Sequence, residues 1–197
     1  MAANKDLEQQ YGRAMEEHGF LPDPENQRYG SMGLCWRHTS QQGGGFFWTY
    51  GQQDLYTIKI HDFFFHEDQL LEFHWPESLS VTWYESISGE EFSPCRRLVP
   101  GCVKSFIGGR EPYRALIHRH IPIVSIGVEI TPAYYRDYLR RQFPEEYQSL
   151  LESFQTLDQT EHFPEMVQLL KQVRDYRGEG LPARLFYDGK VAEAVAL

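Results

Sequence analysis

The stretch Ile123–Leu139 reads IVSIGVEITPAYYRDYL, and a change of period inside it decides the fold class. Its first half, IVSIGVEI, is rich in β-branched and apolar residues and is expected to be a strand. At Thr131 the pattern turns helical. Thr131 is expected as the N-cap and Pro132 as the first helical residue. The chain upstream of this point is mostly strands and the chain downstream is helices, the order of an α+β fold.

Upstream, from Leu34 to Ile130, the period is two. GLCWRHTS is a short apolar run, and GGGFFWTY is read as a glycine turn leading into an aromatic strand. LYTIKIHDFFF alternates Tyr56, Ile58 and Ile60 with Thr57, Lys59 and His61. QLLEFHW, SLSVTWYESI, KSFIGGR and YRALIHRHI supply further strands. Turn residues recur between them, at Gln52-Gln53-Asp54, Pro76-Glu77-Ser78, Ser88-Gly89, Pro100-Gly101 and Gly108-Gly109. Many short strands without intervening helices point to an antiparallel sandwich or barrel. Ahead of them, Asp6–His18 is helix-compatible through Leu7, Tyr11, Ala14 and Met15, and LPDPENQRYG is read as a loop.

Downstream, PEEYQSLLESF places Tyr147, Leu150, Leu151 and Phe154 at helical spacing. PEMVQLLKQVRDYRG carries the stripe Met166, Leu169, Leu170, Val173 and Tyr176, with Gly178 expected in the left-handed position that ends the helix. Ala183–Leu197 carries Ala183, Tyr187, Val191, Ala194 and Val195 on one face and Gly189, Ala192 and Ala196 on another. A helix this apolar needs partners on more than one side.

Composition limits the function classes. The 197 residues suffice for one domain with a helical annex, and hydrophobic residues at 41% can build a core. Against 28 acidic residues there are 19 Lys and Arg, a net charge of −9, which argues against a chain that grips nucleic acid by itself. Three cysteines without a C-x-x-C pattern argue against a disulfide framework and a zinc site. The first residues lack the basic and apolar regions of a secretory signal, and no apolar run approaches membrane-spanning length. A cytoplasmic protein is expected.

The search for catalytic or metal chemistry gives little. His118 and His120 form H-R-H in an expected strand, which would direct both rings to one face, as in a cupin metal site. The Glu and Gly that such a site needs are not at the matching distances. No Gly-x-Ser-x-Gly motif occurs, and the glycine-rich GGGFF opens a strand rather than a helix, which is unsuited to a phosphate cradle. No catalytic residue, metal ligand or cofactor is assigned. The candidate pocket is instead aromatic, built from Trp48, Tyr50, His61, Phe63, Phe65 and Trp83 if these faces meet inside a barrel too roomy to fill.

The stretches IPIVSIGVEITPAYYRDYLRRQFPEEY and FPEMVQLLKQVRDYRGEGLPARLFYDGKVAEAVAL, with Lys190 and Glu193 as K-x-x-E, resemble the N-terminal region of AraC/XylS-type transcription regulators. The likeness is strongest from Pro122 to Leu197. It implies an antiparallel cupin-like β-barrel, a jelly roll, followed by a C-terminal helical segment. Residues 1–130 would be an arm plus an effector-sensing barrel, and residues 131–197 a dimerisation and linker segment. The family's DNA-binding domain of two helix-turn-helix units is absent, so the chain is expected to stop at a domain junction. The implied partners are a small-molecule effector, a second copy of the chain, and DNA only through the missing domain; no membrane partner is expected. Met166, Leu169, Val173, Tyr187, Val191 and Val195 are the candidate dimerisation residues, and the chain is expected not to be an enzyme. The alternatives are a cupin-type metalloenzyme using His118 and His120, or a stand-alone binding module.

Overall fold

The alternation in the strands becomes two faces of one large sheet. In the computed structural model, residues 2–39, 41–52, 54–93, 95–109, 111–144, 152–154, 159–160 and 162–197 are described. Helix α1 (Ala2–Glu17) is followed by β1 (Phe20–Pro22), β2 (Leu34–His38), β3 (Gly43–Gln52), β4 (Tyr56–Phe65), β5 (Gln69–Phe73) and β6 (Leu79–Ser86). Then come β7 (Gly89–Phe92), β8 (Cys95–Leu98), β9 (Val103–Ile107), β10 (Tyr113–Ile117) and β11 (Ile123–Ile130). A π-helical segment, Ala133–Leu139, runs into α2 (Arg140–Gln142), and β12 (Gln159–Thr160), α3 (Pro164–Asp175) and α4 (Gly180–Ala196) complete the chain.

The class is α+β, and all the strand pairings are antiparallel. The expected closed barrel is not formed among the described strands. They make two separate sheets, an eight-stranded one in the order β1-β2-β3-β4-β11-β6-β9-β12 and a four-stranded one in the order β5-β10-β7-β8. Each sheet ends in strands paired on one side only, so no hydrogen-bonded ladder closes the circuit.

Along β4, Tyr56, Ile58 and Ile60 point to one side of the large sheet, with Leu79, Val81 and Trp83 of β6 and Ile126, Val128 and Ile130 of β11. Helices α3 and α4 cover this side with Met166, Leu169, Leu170, Val173, Ala183, Tyr187 and Val191. Phe63 and Phe65 of β4 belong to a second core with Phe47, Leu71, Ala115 and Ile117, to which α1 adds Leu7, Tyr11 and Met15. The large sheet therefore has helices on one face and the small sheet with α1 on the other.

Several local expectations are corrected. Gly43, Gly44 and Gly45 lie within β3 rather than in a turn, paired with Phe65, Phe64 and Phe63. Thr131 does not cap a helix with its side chain. Its hydroxyl donates to the Leu55 carbonyl at 3.0 Å and contacts the Asp54 carbonyl, tying the start of the helical segment to the β3–β4 turn. Gly180, with φ +63, holds the left-handed position between α3 and α4, rather than Gly178. The loop read at LPDPENQRYG begins with β1, which pairs with β2. The helix expected at PEEYQSLLESF falls largely outside the described residues, Tyr147, Leu150 and Leu151 included. All three cysteines are free thiols.

Candidate functional site

A cavity of about 160 Å³ lies between the two sheets. Its floor is the inner face of the large sheet: Lys59 and His61 of β4, Ser80, Thr82 and Tyr84 of β6, Lys104 of β9, and Gly127 and Glu129 of β11. Phe47, Phe63, Phe65, Leu71, Phe73, Ile117 and Ile123 supply apolar walls, and α1 adds Met15. One part of the cavity is thus aromatic and aliphatic and another carries charge, the composition of a small-molecule site.

The charged groups are paired and buried. Lys59 Nζ donates to Glu129 Oε2 at 2.7 Å, with both side chains largely shielded. Tyr11 Oη reaches Glu129 Oε1 at 3.4 Å, and the Lys59 ammonium sits 4.3 Å from the centroid of the Trp75 ring. Burial alone would lower the Lys59 pKa, but Glu129 and Tyr11 outweigh it and the net shift is upward, so the ammonium stays charged. Across the floor, Lys104 contacts Glu91, whose other oxygen accepts from Arg96 Nε at 2.6 Å. Burial pushes the Lys104 ammonium down, to about 7. His61 is the neutral base of the cavity. Burial first, and the Lys59 charge second, push its imidazole down to about 3. Its Nδ1 lies 2.7 Å from Ser125 Oγ, which fixes the ring against β11.

Among the residues expected to form the pocket, His61, Phe63 and Phe65 line this cavity. Trp48, Tyr50 and Trp83 do not. They are buried on the opposite face, where Trp48 and Tyr50 pack on Tyr187 with ring centroids 6.5 and 4.6 Å apart, and the Lys171 ammonium lies 4.7 Å from the Trp83 ring centre. The physical reason is register. Trp48 pairs with Ile60 and Phe47 with His61, so the two aromatic faces read from the sequence are opposite sides of one sheet. Sequence reasoning missed Lys59, Lys104 and Glu129, because polar residues alternating with apolar ones read as a solvent face until a second layer covers them.

The candidate dimerisation stripes are used within the chain. Met166, Leu169 and Val173 are each 2% exposed, Tyr187 1% and Val191 0%, all against the sheet or the neighbouring helix, and Val195 is partly buried beside them. His118 and His120 do not alternate in a strand, because β10 ends at Ile117 and both fall in the following turn. His120 has a φ of +60, and His118 Nδ1 lies 2.9 Å from Ser88 Oγ. Among the described residues no three His, Cys, Asp or Glu side chains stand close enough together to hold a metal ion. No described helix is long and apolar enough to cross a membrane.

No family model and no curated protein matches the chain. Among solved structures it is similar to KdgF from Halomonas sp., at 10% identity and a TM-score of 0.34, over 48% of this chain and 85% of that one. A likeness this weak lends this chain no activity and excludes none. The expectation that the chain is not an enzyme is corrected accordingly and is not carried further.

Proposed function

We propose that this chain is the ligand-sensing region of an AraC-type transcription regulator, with the effector seated between the two sheets. One observation carries the reading: β4, β6 and β11 each give alternate residues to the cavity and to the helix-covered face. A ligand that shifts Lys59 or Glu129 thereby moves the strands on which α3 and α4 rest. Such coupling requires the ligand to favour one arrangement of sheet and helices over the other. The net charge of −9 fits a chain that leaves DNA to a separate domain joined to the helices.

A second copy packs, in this proposal, on the outward face of α4. There Leu181 and Leu185 are 67% and 63% exposed, and among the described residues nothing lies within 4 Å of a Cβ built on Gly189. Leu185→Glu is expected to lower the sedimentation-equilibrium mass from dimer to monomer. A monomeric parent protein would remove this part of the proposal.

The sensing reading is tested by thermal-shift screening of small acids, phenols and sugars, followed by hydrogen exchange with any stabilising compound. Slower exchange in α3 and α4, remote from the cavity, supports it. Ligand binding that protects only the cavity strands would leave a binding module without a transmitted response. Turnover of the compound during the assay would favour catalysis at the same cavity.

A further inference from the structure

Two rows of residues cross the cavity floor, and the register of the large sheet gives them different chemistry. In one, Lys59 pairs with Gly127, Gly127 with Thr82 and Thr82 with Lys104. Its charges are already matched, Lys59 by Glu129 and Lys104 by Glu91. Arg96, which also meets Glu91, does not line the cavity and has a further partner of its own. An ionic ligand would lose its water here without gaining an unmatched opposite charge.

The other row is uncharged. Phe47 pairs with His61, His61 with Ser125 and Ser125 with Tyr84. His61 and Tyr84 both line the cavity, on either side of Ser125, with roughly 10 Å between their Cα atoms. Burial holds each in its neutral form, pushing the imidazole down to about 3 and the phenol up to about 12. His61 Nδ1 is engaged by Ser125 Oγ at 2.7 Å, and neither His61 Nε2 nor Tyr84 Oη has a hydrogen-bond partner among the described residues. Buried polar groups ordinarily have one. The space beside them is limited. A dry apolar cavity of roughly 150 Å³ accepts benzene, and this one is about 160 Å³.

Taking the cavity as the ligand site proposed above, we infer that its ligand is an uncharged compound of about one ring that carries a hydroxyl. The hydroxyl sits over Ser125, donating to His61 Nε2 and accepting from the Tyr84 hydroxyl, with the ring proton of His61 on Nδ1 toward Ser125. The apolar body lies against Phe47, Phe63 and Phe65.

Calorimetric titrations with phenol, toluene, benzoate and benzylamine test this. They are run at pH 6, where His61 is neutral and Lys104 is charged. Phenol is expected to bind at least tenfold more tightly than benzoate or benzylamine, which are both ionic at this pH. Tyr84→Phe, which removes only the oxygen, should weaken phenol about fivefold, the worth of one neutral hydrogen bond, and leave toluene unchanged. His61→Leu should act in the same direction, with its fold checked by circular dichroism. Benzoate or benzylamine bound as tightly as phenol would overturn the uncharged ligand. Phenol weakened no more than toluene in both variants would overturn the hydroxyl contact. Either result leaves the cavity as a ligand site. Failure of all four compounds to bind would overturn the cavity reading itself.

Discussion

The two faces of the large sheet are built from the same strands and obey different rules. On the helix-covered face Trp48, Ile58, Ile60, Val81 and Ile126 meet Leu170, Tyr187 and Val191, all at most 3% exposed, in a packed apolar layer. On the other face the intervening positions are Lys59, His61, Thr82, Lys104 and Glu129, beside empty volume. Buried ion pairs return little net stability, because desolvation offsets their attraction. An apolar face of equal shape would hold the two sheets together as well or better. The contrast therefore separates a side selected for packing from a side that retains charge for another purpose.

The largest effect is expected from breaking a charge pair on the cavity face. Glu129→Ala leaves Lys59 buried without its carboxylate and should lower unfolding free energy by about 3–5 kcal/mol. The double variant Lys59→Met with Glu129→Leu should recover most of that loss. Urea denaturation of the three proteins measures both numbers. A double variant as unstable as the single one would mean that the pair is a net source of stability, and the contrast between the faces would weaken.

On the helix face the expected cost is that of a cavity. Leu170, fully buried in the layer between α3 and the sheet, becomes Leu170→Ala at about 2–5 kcal/mol. Affinity for any cavity ligand should stay the same in the folded protein, since the substitution lies on the other side of the sheet. A change in affinity of more than tenfold would show that the two faces are coupled more tightly than packing alone requires.

Acid sharpens the comparison further, since His61 is a base held neutral inside the cavity. Its folded pKa, about 3, lies below the ordinary value of 6.5, so the unfolded chain binds the proton more readily between these values. The contribution of this group should therefore be flat above pH 6.5 and fall as the pH drops towards 3, by up to about 1.4 kcal/mol per pH unit, while Lys104, pushed down to about 7, makes stability rise with pH above that value. His18 and His38 are also depressed by burial and act in the same direction. Denaturation midpoints of the parent and His61→Asn across pH 4–8 isolate the His61 share. Identical slopes would show that His61 takes up its proton as easily in the folded protein as in the unfolded chain.

How much of this was legible in the sequence follows from what a period can and cannot say. Alternation in LYTIKIHDFFF and SLSVTWYESI located β4 and β6 and sorted their residues into faces. It did not say which faces meet, because pairing register is a property of two strands together. Trp48 and His61 were accordingly grouped into one pocket although they lie on opposite sides of the sheet. The helices α3 and α4 were legible from their stripes, but the same stripes served equally for a second copy or for the sheet, and the sheet took them. Short β7 and β8 carry too few apolar residues to signal strands, and without them the small sheet that covers Lys59 and Lys104 was invisible.

The smallest effect tests the link between the faces. Tyr56, on β4, donates its hydroxyl to Asp188 of α4 at 2.6 Å, so one hydrogen bond joins a strand of the cavity floor to the terminal helix. Burial, and then the Asp188 carboxylate, raise the phenol pKa, which keeps the hydroxyl a donor throughout the working pH range. Tyr56→Phe keeps the ring, its packing on Tyr50 included, and leaves the exposed Asp188 to water, so the loss should be about 0.5–1.5 kcal/mol. If this bond carries a response from cavity to helix, the variant will bind ligand with parental affinity yet gain less hydrogen-exchange protection in α4. An equal gain in both proteins would assign transmission to the apolar contacts of Trp48, Tyr50 and Tyr187, which move as one layer with the sheet.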